Sequence, residues 1–90
     1  MVINLKENLK TIRKAYNFSQ IEMADRLNIP IKRYQSYEEG RAEPRLEDVL
    51  TFCCVTNFTL DQLVTVNIKE HFTDIQINQL ALKKPKHQPS

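Results

Sequence analysis

The stretch from Ser19 to Gly40, SQIEMADRLNIPIKRYQSYEEG, decides how the rest of the chain is read. Ser19-Gln-Ile-Glu22 has the spacing of a capping box, in which the serine hydroxyl accepts from the Glu22 amide and the glutamate reaches back to the Ser19 amide. Ile21, Met23, Ala24 and Leu27 follow as an apolar stripe at helical spacing, with small Ala24 where a neighbouring helix crosses closely. Asn28 tolerates the left-handed conformation that stops a helix. A second amphipathic segment then runs over about residues 31–38, with Ile31, Tyr34 and Tyr37 on its apolar side. It closes at Gly40, the only glycine in the chain and a fit for the positive φ needed just past a helix end. Two short helices joined by a tight turn are the expectation.

The flanking residues extend the pattern. Asn4 and Glu7 are spaced as a box for a first helix carrying Leu5, Leu9, Ile12 and Tyr16, which Asn17 can end. After an Arg41–Arg45 loop containing Pro44, a fourth helix over about residues 46–55 is expected to insert Leu46, Val49, Leu50, Phe52 and Cys53. Asn57 ends it, Phe58 packs beneath, and Thr59-Leu-Asp-Gln62 opens a short fifth helix with Leu60 and Leu63 inward. The fold class is therefore all-α, a compact five-helix domain over residues 1–66. Residues 67–82 read as a C-terminal extension, either a sixth helix with Ile68, Phe72, Ile75 and Leu82 on one stripe or an alternating strand. Residues 83–90, KKPKHQPS, read as a disordered tail.

Composition narrows the function. The hydrophobic fraction of 41% is spread periodically through 90 residues, which suits one small folded domain. No apolar run approaches the roughly 20 residues of a membrane span, and MVINLKENLK lacks the apolar core of a signal peptide, so a cytoplasmic protein is expected. Adjacent Cys53 and Cys54 cannot form a strain-free disulfide within a helix, and no metal-ligand spacing accompanies them or His71 and His87. No phosphate-cradling glycine loop and no nucleophile–base arrangement is present, so neither an enzyme nor a cofactor is expected. The net charge of +2 argues little, and residues 1–64 hold nine basic and nine acidic side chains. Binding to a polyanion would depend on where the charges sit.

Asn8-Leu-Lys-Thr-Ile-Arg-Lys14, the Ser19–Gly40 segment, Tyr37-Glu-Glu-Gly-Arg-Ala-Glu-Pro44 and Leu60-Asp-Gln-Leu63 together resemble the Xre/Cro-type helix-turn-helix family of phage and bacterial repressors. The resemblance covers about residues 4–64 and implies a lambda-repressor-like fold whose third helix lies in the DNA major groove. It implies base reading by Ile31, Lys32, Gln35 and Ser36, and phosphate contact by Arg13, Gln20, Arg33 and Arg41. Arg13 and Glu38 match a pair that, in the family, bridges the first helix to the end of the third. Lysine suits guanine O6 and N7, glutamine suits adenine, and isoleucine can pack on a thymine methyl. Three residues depart from the family pattern: Pro30 replaces a capping serine or threonine, Ile31 a polar reader, and Thr56 a core leucine.

The implied function is a sequence-specific DNA-binding transcriptional regulator, a repressor, that holds a two-fold symmetric operator as a homodimer. Helix five and residues 64–82 are the expected dimer contact. The alternative is a protein-interaction module, an antitoxin or adaptor with a protein partner, suggested by the near-neutral core and the apolar extension.

Overall fold

The computed structural model describes residues 5–65 together with Asn67, Ile68 and Gln76. Five helices account for most of these described residues: α1 (Leu5–Ala15), α2 (Gln20–Leu27), α3 (Ile31–Glu39), α4 (Leu46–Thr56) and α5 (Leu60–Thr65). No strand occurs among the described residues. The Asn4 cap and most of the 67–82 extension and 83–90 tail lie outside them.

Local chemistry sets the boundaries. Both halves of the Ser19–Glu22 box are formed, with the Glu22 amide 3.0 Å from Ser19 Oγ and the Ser19 amide 2.7 Å from Glu22 Oε1. The Thr59–Gln62 box is likewise closed from both sides. Asn17, Asn28, Asn57 and Gly40 all take positive φ, ending α1, α2, α4 and α3 in turn. Pro30 precedes α3 in an extended conformation and supplies no capping bond.

The core gathers Leu9, Ile12, Met23, Leu27, Tyr34, Tyr37, Val49, Phe52, Phe58, Leu63 and Ile68. Four expected core positions are corrected: Ile21 is 68% exposed, Leu46 65%, Leu50 45% and Leu60 39%. The α4 sequence LEDVLTFCCVT is apolar around most of its circumference, so its periodicity does not choose a face. Packing against α2 and α5 selects Val49, Phe52 and Thr56 instead. Thr56 is fully buried yet satisfied: its hydroxyl donates to the Phe52 carbonyl at 2.7 Å, and its own carbonyl accepts from Tyr16. Burial pushes the Tyr16 phenol up to about 12.

Asn8 occupies a fully buried position on α1, beside Leu9 and Ile12. Its Nδ2 donates to the Leu63 carbonyl at 2.7 Å, and its Oδ1 accepts from the Ile68 amide at 3.0 Å. One side chain thus ties the chain leaving α5 back to α1. Asn8→Leu strands both backbone groups in the interior and is expected to lose about 1–3 kcal/mol. The urea midpoint should fall while the slope of the transition stays unchanged.

Candidate nucleic-acid interface

At 3.6 residues per turn, Lys32, Ser36 and Glu39 recur on the side of α3 opposite buried Tyr34, Tyr37 and Glu38. Lys32 and Glu39 are exposed and Ser36 is half-buried. Gln35 and Arg33 flank this face on opposite edges. Ile31 is shared between surface and core, where its side chain packs beside the buried cluster. The Ser36 hydroxyl donates to the Lys32 carbonyl at 3.0 Å, which leaves its lone pairs as the group presented outward.

The orientation of α3 is held by a buried network. Arg13 Nε and Nη2 donate to the two Glu38 oxygens at 2.7 and 3.1 Å, the paired geometry of a guanidinium on a carboxylate. Arg13 Nη1 donates to the Phe18 carbonyl at 2.7 Å, fixing the α1–α2 link. Tyr34 donates its hydroxyl to Glu38, and Gln20 Nε2 reaches the same carboxylate at 3.0 Å. Burial alone would raise the Glu38 pKa, but the bonds from Arg13, Tyr34 and Gln20 and the arginine charge hold it below the usual carboxylate value. Burial acts to lower the Arg13 pKa and is outweighed by Glu38, so the guanidinium stays charged. Burial and the Glu38 bond together push the Tyr34 phenol well up.

This network touches the outer face at one edge. Gln35 Nε2 donates to Gln20 Oε1 at 3.2 Å, so the first residue of α2 lies against the flank of α3. An α-helix begins with amides that have no intrahelical acceptor. In α2 the box occupies those of Ser19 and Glu22, and Met23 already bonds to the Ser19 carbonyl. The amides of Gln20 and Ile21 are thus left at the positive end of the helix dipole, an arrangement suited to an anionic oxygen.

The expected phosphate ligands are differently disposed. Arg13 lies 8% exposed, with three of its N–H groups spent on Glu38 and Phe18. Arg41 is open to solvent beside Glu39, 2.6 Å away. Arg33 turns toward α4, where its Nε lies 3.2 Å from Asp48 Oδ2 without an aligned hydrogen bond. Sequence reasoning missed this pairing, the Gln20–Gln35 link and the Asn8 tie. The signal for Asn8 was a polar residue in register with Leu5, Leu9 and Ile12. For Asp48 it was a carboxylate in the first turn of the helix that follows α3 and its arginine.

No helix among the described residues is long and apolar enough to cross a membrane, and no group of His, Cys, Asp or Glu there could hold a metal ion.

The sequence model of the helix-turn-helix family matches residues 9–63. Over 61 residues the chain is 33% identical to the cryptic phage CTXphi transcriptional repressor RstR of Vibrio cholerae, a match covering 68% of this chain and 54% of that protein. Over 58 residues it is 36% identical to the uncharacterised HTH-type transcriptional regulator YqaE of Bacillus subtilis, covering 64% and 50% respectively. The matched region spans about half the length of these curated relatives. No solved structure matches the chain significantly.

Proposed function

The chain belongs to the Xre/Cro-type helix-turn-helix family of DNA-binding transcription regulators, and from that premise we propose that it is a sequence-specific repressor acting in the cytoplasm as a homodimer on a two-fold symmetric operator. In this reading residues 1–66 form the DNA-binding domain, and α5 with residues 64–82 supplies the dimer contact.

The observation that carries the proposal is the Gln35–Gln20 hydrogen bond. It sets the open amides of α2 beside the outward face of α3, so a grip on one phosphate fixes the register at which α3 meets base edges. Phosphate contacts position a protein on the duplex and base contacts specify the sequence, and here the two lie side by side. Lys32 donates to guanine, and Ser36, its proton engaged by the Lys32 carbonyl, accepts from an adenine or cytosine amino group. Gln35 and Ile31 read the flanking pairs, Ile31 through a thymine methyl. Gln20, Arg33 and Arg41 meet phosphates, and the Arg13–Glu38 bridge keeps α3 aimed, with an edge of Arg13 turned to the backbone.

Homodimerisation follows from the few base-reading side chains on one protomer. Two half-sites about 34–36 Å apart double the contacts. Sedimentation at tens of micromolar, alone and with a duplex of selected sequence, tests this part. A dimer on DNA is expected. One protomer per duplex at saturation would remove the symmetric-operator reading.

Exposed Leu46 and Leu50 on α4 favour a second reading for that face, a protein partner of the antitoxin or adaptor kind. A domain that binds such a partner while ignoring duplex DNA would support it.

A further inference from the structure

We propose that Asp48 is a positioning residue that aims Arg33 at a second phosphate, on the wall of the major groove opposite the one held by α2. The inference rests on the DNA-binding reading above.

Arg33 and Gln35 stand on opposite edges of the outward face of α3. Gln35 leads to Gln20 and the α2 amides. A recognition helix seated in a groove about 12 Å wide has phosphates on both sides, so the second edge faces a backbone as well. The side chain on that edge is held from below. Arg33 Nε is occluded and 3.2 Å from Asp48 Oδ2, while the Arg33 side chain as a whole is 28% exposed.

Asp48 is anchored independently of the arginine. Tyr37 donates its hydroxyl to the same Oδ2 at 2.6 Å, and the carboxylate sits in the first turn of α4, where the helix dipole favours a negative charge. It therefore stays in place when a phosphate arrives. A guanidinium is planar and presents two edges, so one can rest on the carboxylate while the terminal nitrogens engage a phosphate. This accounts for a buried acid beside a DNA-facing helix, where an unpaired negative charge would repel the backbone.

The sign of one substitution separates positioning from simple charge. Asp48→Asn removes a negative charge, so electrostatics alone predicts tighter DNA binding. Positioning predicts weaker binding, equal across duplex sequences. Wild type, Arg33→Met, Asp48→Asn and the double variant would be titrated against labelled duplexes over a salt series, with helical circular dichroism checked for each. Arg33→Met is expected to weaken all sequences alike and to reduce the slope of log K against log salt by about 0.9 for each phosphate it no longer neutralises. Asp48→Asn should shift binding in the same direction, and the double variant should be no weaker than Arg33→Met.

Should Asp48→Asn not fold, Tyr37→Phe removes the carboxylate's anchor with its ring retained, and a uniform weakening is again expected. Tighter binding by Asp48→Asn, unchanged binding by Tyr37→Phe in its place, or an unchanged salt slope in Arg33→Met overturns the inference while leaving DNA binding intact. A wild-type chain that binds no duplex overturns the functional reading and this inference together.

Discussion

Replacing Glu38 by alanine is expected to destabilise the domain by about 3–5 kcal/mol, the loss that follows when one partner of a buried ion pair is removed. Four donors converge on this carboxylate: Nε and Nη2 of Arg13, Nε2 of Gln20 and the Tyr34 hydroxyl. Alanine leaves the guanidinium charged and shielded from water, and leaves the Tyr34 hydroxyl without its acceptor in the core. Such a loss is a large part of the total stability of a domain this small, and the melting temperature should fall by more than about 12 °C. Glu38→Gln keeps an acceptor and the side-chain volume, so a smaller loss is expected. Thermal melts followed by circular dichroism check both.

The same carboxylate gives the stability a direction with pH. Its folded-state pKa lies below the ordinary value of 4.5, so the unfolded chain binds its proton more readily than the folded one. Its contribution is complete above the unfolded value and is lost as pH falls through the lower folded value. Wild type should lose stability on acidification below about pH 4.5, and Glu38→Gln should show a shallower loss over that window.

The second large effect concerns recognition. Lys32→Ala with Ser36→Ala removes two of the three polar side chains on the outward face of α3, sparing Glu39, while leaving Tyr34, Tyr37 and Glu38 in the core. A good base contact discriminates by about 1–3 kcal/mol, so preference at each contacted pair should drop roughly 5- to 150-fold. Binding to unrelated duplexes should change little, apart from the reduced salt slope of one missing lysine. The effect is thus the reverse of that expected for Arg33→Met, which lowers affinity and leaves preference alone. Competition between specific and scrambled duplexes at fixed salt measures the difference.

Most of the architecture was legible from short-range chemistry. Capping boxes at Ser19 and Thr59, asparagines 17, 28 and 57, and Gly40 each act within a few residues, so their spacing alone marks the helix ends. The order of arginine, serine-glutamine, glutamate-x-glycine and proline identified the family without any long-range information. What was illegible depends on contacts across the fold. Leu46 and Leu50 have the periodicity of buried residues, but α4 has more apolar circumference than α2 and α5 can cover. Ile21 lies in the first turn of α2, outside the buried set of Met23, Ala24 and Leu27 on that helix.

The site shows the same division. Lys32 and Ser36 fall on the outward face by helical geometry once Tyr34 and Tyr37 are assigned to the core. The partners of Arg33 and Gln35 lie on other helices, 15 residues away in each case, and no local rule pairs them. Asn8 reaches further still, to Leu63 and Ile68. Its place on the apolar stripe of α1 is a local signal, but that signal does not name the groups it holds.

The most direct test of α3 as a reader of base sequence is selection of bound duplexes from a random pool, run in parallel with wild type and with Lys32→Ala/Ser36→Ala. Enrichment of a two-fold symmetric consensus by wild type, degraded in the variant at one or two pairs of each half-site, is the expected result. An unenriched pool, or the same consensus selected by both proteins, would contradict it.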